Sequence, residues 1–511
     1  MLTDMSTFES LEWLSRFLDE TPGDSEVGGH PRQVPNACWS RVNPTPPPDP
    51  KLVLWSNEMA SKLGLDRPDG VILGGGVVTK GMDPYAQRYG GHQFGNWANQ
   101  LGDGRAITLG EVQLENDVLE LQLKGSGITP YSRFADGKAV LRSSIREFLC
   151  SEAMHHLRVP TTRALSLVTT GEMVTRDVMY DGNSALESGA VVCRVAPSFL
   201  RFGSFQIHSA ANDHSTLEAL VEHTIQHHFP NHSVSDDAGR VRWLTHIAEQ
   251  TAIMISHWMR VGFVHGVMNT DNMSIHGLTI DYGPYGWLEN YDPGWTPNTT
   301  DSATRRYRYS HQSQIGGWNL ARFFESMIPL MDDPKLLHQA LDAYIEAFHN
   351  LQNEMWVEKL GLDEFKTSDE SLIVELNKLL QVVETDMTIF FRLLCSIKTP
   401  NIDTLIDAFY DPATIPTEQW NSWLNKWWKR VGKDPNRAKM RNANPKYVLR
   451  NWMAQVAIDA ADEGDFSVCE ELYSMLQNPY DEQPEYEEKW FQKRPEWARE
   501  RVGCSMLSCS S

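Results

Sequence analysis

Residues 265–281 read His265-Gly-Val-Met-Asn-Thr-Asp-Asn-Met-Ser-Ile-His-Gly-Leu-Thr-Ile-Asp281, and this stretch decides both the fold and the chemistry of the chain. An acid and an amide stand side by side at Asp271 and Asn272, and a second acid follows at Asp281 after a short apolar run. Oxygen-bearing side chains in this order suit Mg²⁺ or Mn²⁺, which take carboxylate, amide and phosphate oxygens as ligands. The alternative is an ordinary surface turn, because Asn and Asp are common turn formers.

The same order of residues is typical of the catalytic loop of protein kinases. There a His precedes the catalytic Asp, an Asn binds metal, and a further Asp holds the second metal site. In this chain the position of the catalytic Asp is occupied by Val267, while Asn272 and Asp281 match the metal-binding positions. Simple phosphoryl transfer is therefore not the first expectation. The turn-forming pair His276-Gly277 predicts two short paired strands that bring Asn272 and Asp281 to the same side.

Bulk properties limit the classes of function. The chain has 511 residues, of which 41% are hydrophobic and 22% charged, enough for two or three domains or one large fold with additions. No apolar run reaches the roughly 18 residues of a membrane span. The formal net charge of -21 argues against nucleic acid or an anionic membrane as the main partner. The acidic N-terminus carries no targeting pattern, which favours a cytoplasmic location.

Seven cysteines are scattered along the chain and show neither a disulfide framework nor a zinc spacing. Five of them are expected to be ordinary buried thiols; they are Cys38, Cys150, Cys193, Cys395 and Cys469. Cys504 and Cys509 lie in the C-terminal tail, where mobility would expose them to oxidation. A frayed terminus without a role is the alternative.

Proline, glycine and apolar patterns divide the chain into four regions. We expect an N-terminal extension over residues 1–84, a mixed lobe over 85–205, a mainly helical lobe over 206–400, and a helical C-terminal region with the cysteine tail over 401–511. In the last region four tryptophans at helical spacing predict core packing rather than a ligand cage; they are Trp420, Trp423, Trp427 and Trp428.

Two charged residues of the mixed lobe are candidates for a phosphate site. Leucines alternate with polar residues over 118–124, which predicts a strand that ends at Lys124. Glu147 lies in a predicted helix over 143–157. In kinase-like folds a strand Lys pairs with a helix Glu and contacts nucleotide phosphates. On spacing alone, two unrelated solvated charges are the favoured alternative.

Two further features could contact a nucleotide. The segment Leu101-Gly-Asp-Gly-Arg105 offers flexible backbone donors and one guanidinium. Arg194 and Arg201 are suited to bidentate recognition of phosphate oxygens. Each could instead be a plain turn or a surface residue.

Several long segments are specific enough to identify a family. They are Tyr89-Gly-Gly-His-Gln-Phe-Gly95, Leu101-Gly-Asp-Gly-Arg105, Leu123-Lys-Gly-Ser-Gly127, Thr129-Pro-Tyr-Ser-Arg133, Asp136-Gly137, Ser143-Ser-Ile-Arg-Glu-Phe148, Pro160-Thr-Thr-Arg-Ala164, residues 265–275 and Asp281-Tyr-Gly-Pro284. With these segments the chain resembles the selenoprotein O family of protein adenylyltransferases. The terminal Cys509-Ser-Ser resembles the tail of that family, in which some members carry selenocysteine.

The resemblance implies an α+β, protein-kinase-like two-lobed fold with an N-terminal extension and a helical C-terminal region. It also implies that ATP binds in a flipped orientation, so that its α-phosphorus faces the acceptor. AMP would then be transferred to a Ser, Thr or Tyr hydroxyl of a protein substrate, with release of pyrophosphate, and UMP transfer is also open. A kinase-type phosphotransferase and a catalytically inactive nucleotide-binding scaffold remain the alternatives.

The resemblance further implies roles for single residues. Asp271 is expected to accept the proton, and Asn272 and Asp281 to bind Mg²⁺ or Mn²⁺. The expected nucleotide-binding residues are Gly102, Gly104, Arg105, Lys124, Asp136, Gly137, Glu147, Arg194 and Arg201, with Glu147 orienting Lys124. Some members pair the terminal cysteine with a cysteine after the Asp-Tyr-Gly-Pro motif. Residues 294–298 contain none here, so that disulfide is not expected, and a redox role of Cys504 or Cys509 stays a hypothesis.

Overall fold

A nine-stranded sheet dominates the first half of the chain, and its strand pairs are antiparallel. The structure is a computed structural model that describes residues 7–179, 182–233 and 235–508. Its strands are β1 Glu12–Leu14, β2 Trp39–Arg41, β3 Lys51–Trp55, β4 Tyr85–Gln87, β5 His92–Gln93, β6 Asn96–Trp97, β7 Ala106–Gln113, β8 Val118–Lys124, β9 Ala139–Val140, β10 Arg163–Arg176, β11 Ala185–Ala196, β12 Phe263–Val264 and β13 Gly286–Trp287.

The helices follow mostly in the second half. They are α1 Arg16–Glu20, α2 Asn57–Leu63, α3 Leu141–His156, α4 Phe202–Ala210, α5 His214–His228, α6 Asp237–Val261, α7 Gln312–Glu325, α8 Leu337–Leu360, α9 Asp369–Val382, α10 Met387–Leu394, α11 Thr417–Arg430, α12 Arg437–Ala443, α13 Asn451–Asp462, α14 Ser467–Leu476 and α15 Pro484–Trp490. Among these described helices, none is both long and apolar enough to cross a membrane.

The sheet order is β2-β4-β7-β8-β11-β10-β3, with β1 paired to β7 and β9 paired to β11. Strand β8 has the predicted bounds, and its leucines are buried in the core beneath the sheet. The predicted helix is confirmed as α3, which packs against β10 and β11. Strands β1 to β4 come from the first 87 residues and join the same sheet. The four-region division itself stays a prediction.

The sheet with α3 forms one lobe, and the helices from α4 onward form the other. The long helix α6 is capped at its N-terminus by Asp236, whose side chain accepts a hydrogen bond from Gly239 N, and at its C-terminus by Gly262 in the left-handed conformation. Between the lobes lies the segment 265–284, flanked by the short pair β12–β13. This is the expected α+β, protein-kinase-like two-lobed arrangement.

The predicted pairing of two strands around His276-Gly277 is wrong. A turn does form there, with Gly277 N donating to Ser274 O. The flanking residues, however, pair elsewhere: Ser274 forms an isolated β-bridge with Arg201, and Thr279 forms one with Thr161. The two arms of the turn find partners in distant segments of the chain, which local sequence could not indicate.

The tryptophan prediction is confirmed, because three of the four are buried in α11 and the fourth packs partly buried beside them. The five expected thiols are also buried. The expectation of an exposed thiol at Cys504 is wrong: the residue is buried, and its carbonyl accepts a hydrogen bond from Asn451 Nδ2. The tail is also held at Leu507, which forms an isolated β-bridge with Asn298. Cys509 lies outside the described residues.

Candidate active site

A cavity of about 720 Å³ lies between the sheet lobe and the segment 265–284. It brings together most of the residues singled out from the sequence. Those in its wall are Gly102, Gly104, Arg105, Lys124, Asp136, Gly137, Arg194, Asp271, Asn272 and Asp281. Glu147 and Arg201 lie just behind the wall, where they contact Lys124 and Asp281. Val267, at the position of the kinase base, also lines the cavity.

Lys124 and Glu147 form a buried ion pair. Lys124 Nζ lies 2.6 Å from Glu147 Oε2, and both side chains are at most 10% exposed. Burial lowers the pKa of Lys124, and the Glu147 carboxylate opposes that shift. The alternative of two unrelated solvated charges is therefore wrong. Strand β8 and helix α3 place one lysine, already neutralised by its partner, at the cavity floor.

Asp281 is held by two buried arginines. Arg194 Nη1 lies 2.7 Å from Asp281 Oδ1, and Arg201 Nη1 lies 2.5 Å from Asp281 Oδ2. Burial acts to raise the pKa of Asp281, but the charges of Arg201, Arg194 and Lys124 override it and hold that pKa well below its usual range. Asp281 is therefore an anion. Lys124, Arg194 and Arg201 thus lie together at the floor, and cations of this kind suit the oxygens of a phosphate chain.

Asp271 lies in a short 3₁₀ turn, Thr270–Asn272, and is buried. Its Oδ2 accepts a hydrogen bond from Gln93 Nε2 at 3.1 Å, while its Oδ1 has no hydrogen-bond partner among the described residues. Burial raises the pKa of Asp271 to about 6. A side chain at Gly91 would place its Cβ 2.4 Å from Asp271 Oδ1, so this close approach requires glycine. Sequence reasoning missed Gln93, although the Tyr89–Gly95 motif contains it.

The oxygens of the site fit a hard divalent cation. Asn272 Nδ2 donates to Val267 O at 2.9 Å, which leaves the amide oxygen as the atom able to bind a ligand. Asp281 contributes an ionised carboxylate. Oxygen donors of this kind suit Mg²⁺ or Mn²⁺.

The outer rim of the cavity combines the Gly-rich segment with residues 129–137. A Cβ at Gly102, whose φ is +94°, would lie 2.4 Å from the Tyr131 ring, so only glycine allows the two segments to pack. Asp136 forms a double hydrogen bond with Arg176, both contacts at 2.8 Å. Arg176 was not expected from the sequence, because it reaches the rim from β10.

A strand lysine paired to a helix glutamate, facing an amide and two acids across a cavity, defines a kinase-like nucleotide-binding site with a displaced acid. The chain belongs to the SelO family, because the family described as "Protein adenylyltransferase SelO" matches its residues 29–477. It is therefore a nucleotidyltransferase that uses ATP. The resemblance seen in the sequence is confirmed.

Full-length relatives agree with this assignment. The chain is 53% identical to the protein nucleotidyltransferase YdiU of Aromatoleum aromaticum, over 97% of this chain and 99% of that one. It is 51% identical to the YdiU protein of Flavobacterium johnsoniae, over 98% of this chain and 100% of that one. Among solved structures, ROP2 from Toxoplasma gondii, titled a virulence factor with a protein-kinase fold and no enzymatic activity, matches 58% of this chain and 87% of that one at 14% identity. Its TM-score of 0.23 adds nothing to the fold, which rests on the sheet and the site.

Proposed function

We propose that this protein transfers AMP from ATP to the hydroxyl of a Ser, Thr or Tyr in a protein substrate and releases pyrophosphate, with Mg²⁺ or Mn²⁺ as cofactor. The observation that carries the proposal is the position of the acid. Val267 stands where a kinase has its base, whereas the acid that lines the cavity is Asp271, directly beside Asn272.

The cations of the floor bind the phosphates in this proposal. Lys124 and Arg194 contact phosphate oxygens, Arg201 supports them through Asp281, and Glu147 fixes Lys124. Buried, preorganised cations stabilise charge that develops on phosphoryl oxygens, because little rearrangement is needed at the moment of reaction. Bound Mg²⁺ or Mn²⁺, held by Asn272 and Asp281, would supply further neutralisation of that charge.

The transfer step moves one proton and releases pyrophosphate. The acceptor oxygen forms a bond to the α-phosphorus while the bond from the α-phosphorus to the bridging β-oxygen breaks, and pyrophosphate carries away that electron pair. The hydroxyl proton passes to the Asp271 carboxylate. Gln93 Nε2 fixes this carboxylate through a hydrogen bond of 3.1 Å to Oδ2.

Label transfer tests the proposal. Purified protein is incubated with a protein acceptor and ATP labelled at the α- or the γ-phosphate, in Mg²⁺ and in Mn²⁺. We expect label on protein only from α-labelled ATP. Retention only from γ-labelled ATP would indicate a kinase, and ATP binding without retention of either label would indicate a scaffold.

A variant pair tests the base. Asp271→Asn is expected to lower kcat about 10²- to 10⁴-fold, the usual contribution of a general base, with little change in the Kd for ATP. Asp83→Asn is the matched control, because its carboxylate pairs with Arg41 at the surface and does not line the cavity. Full activity of Asp271→Asn would refute the assignment of Asp271 as the base.

A further inference from the structure

Phe134 is a fully exposed aromatic residue at the mouth of the nucleotide cavity. It lies between two of the family-like motifs, Thr129–Arg133 and Asp136-Gly137, in a segment we call the rim loop, residues 131–137. Because the side chain is fully exposed and lines the cavity, its ring is free to contact a ligand that occupies the cavity.

The backbone on both sides of Phe134 is fixed. Before Phe134, Ser132 Oγ donates to Gly104 O, and across Phe134 the Ala135 N–H donates to Ser132 O at 2.9 Å. On the other side Asp136 is held by its double hydrogen bond to Arg176. The ring therefore projects from a braced loop whose place relative to the Gly-rich segment is set.

The other aromatic rings of the cavity wall are already engaged. Those rings belong to Tyr89, Phe94 and Tyr131. The guanidinium of Arg201 covers Tyr89 at 4.3 Å, Phe94 packs on Tyr307 at 5.3 Å, and Tyr131 packs on Gly102 with its hydroxyl bonded to Ser40. Within the described wall, Phe134 is the aromatic ring with an open face.

We propose that the ring of Phe134 stacks on the nucleobase of the bound nucleotide and so acts as a positioning and specificity residue. This inference rests on the proposed function in one respect, namely that ATP occupies this cavity. ATP has an anionic end and an aromatic end. The anionic end belongs with the buried cations Lys124 and Arg194, which leaves the base at the open rim, beside Phe134.

Stacking also gives a preference among nucleotides. A purine offers a larger π-face than a pyrimidine, and stacking strength sets modest base preferences where no hydrogen bond reads the base. We therefore expect Phe134 to favour ATP over UTP.

Equilibrium binding to the full-length protein tests the inference. The probes are ATP, UTP and inorganic tripolyphosphate, which has the phosphates but no base, and the method is isothermal titration calorimetry. Phe134→Ala is expected to weaken ATP binding about 5- to 150-fold, the effect of losing one stacked base, and to leave the Kd for tripolyphosphate unchanged. Phe134→Trp should retain ATP binding. Leu186→Ala, which removes an exposed apolar side chain outside the cavity wall, is the matched control.

The outcomes separate the possibilities. Equal losses for ATP and tripolyphosphate would mean that the substitution disturbs the loop, and the inference would fall. An unchanged Kd for ATP with a raised KM for the protein acceptor would make Phe134 a docking residue instead. A smaller ATP-to-UTP ratio in Phe134→Ala would support the purine preference. None of these binding results depends on whether the label transfer described above succeeds, so the two proposals can fail separately.

Discussion

Asp281→Asn removes the carboxylate that binds both Arg194 and Arg201. The substitution is nearly isosteric and keeps an oxygen that can accept a hydrogen bond. It nevertheless leaves two arginines that are at most 2% exposed with only their more distant partners, Glu147 at 3.3 Å from Arg194 and Asp103 at 3.8 Å from Arg201. We therefore expect a less stable protein whose remaining cations attract a phosphate chain more strongly.

The size of the effect follows from burial. Removing one partner of a buried ion pair costs about 3–5 kcal/mol, and the lower end applies because the Asp281 side chain is 20% exposed. An unfolding entropy of about 2.1 cal/mol/K per residue gives about 1.1 kcal/mol/K for 511 residues that unfold together. The expected fall in Tm is then about 3 °C. Tripolyphosphate at about 100 times its Kd should raise the free energy of unfolding by about 2.7 kcal/mol, which offsets nearly all of the loss caused by the substitution.

Differential scanning fluorimetry with and without tripolyphosphate measures both quantities. Asp83→Asn is the matched control, because its double hydrogen bond to Arg41 lies at the surface, where such pairs contribute about 0–1 kcal/mol. The stabilisation by tripolyphosphate should be larger in Asp281→Asn than in the wild type, in which Asp281 competes for the same arginines. An unchanged Tm, or equal stabilisation of both proteins, would refute the view that Asp281 neutralises the floor.

Three further predictions concern pH and the tail. Burial raises the pKa of Asp271 to about 6. Protonation below that pH removes the base, so kcat should fall about tenfold per pH unit on the acid side of the pH profile. Asp271→Asn should not show this fall. Burial lowers the pKa of Lys359 from 10.5 to about 7, so between these values the unfolded chain binds a proton at this residue that the folded chain does not. Lys359 should therefore add about 1.4 kcal/mol per pH unit to the slope of stability against pH, and chemical denaturation should show a slope smaller by that amount in Lys359→Met. Leu507→Asp places a charge at a fully buried tail position that pairs with residues 297–299, and we expect lower kcat and faster proteolysis of the tail with an unchanged Kd for ATP.

The local sequence was sufficient for some elements of the site. Strand β8 and its terminal Lys124 follow from alternating leucines, and α3 with Glu147 follows from its helical pattern. Both signals are short-range, because they depend on the side-chain periods of strand and helix. The prediction that Lys124 and Glu147 pair with each other also needed the motifs of the family.

Other features of the site depend on contacts between distant segments. The turn after Asn272 was predicted, but its arms pair with residues 160–162 and 200–202. Arg176 reaches Asp136 across the rim, and the tail residue Leu507 reaches Asn298. No single stretch of sequence specifies such partners, because each is chosen by the tertiary arrangement.

The displaced base is explained by one of these long-range contacts. In a kinase the catalytic Asp comes early in its loop, whereas Asp271 is four positions later. Residues 92–94, which come from the other lobe, hold it at this place. His92 N donates to Thr270 Oγ1 at 2.7 Å, Phe94 N donates to Asn269 Oδ1 at 3.1 Å, and Gln93 binds Asp271 itself. Because three consecutive loop residues are bound by one segment, the acid can change position while the metal-type Asn272 stays in place, and the Tyr89–Gly95 motif thereby becomes part of the catalytic loop.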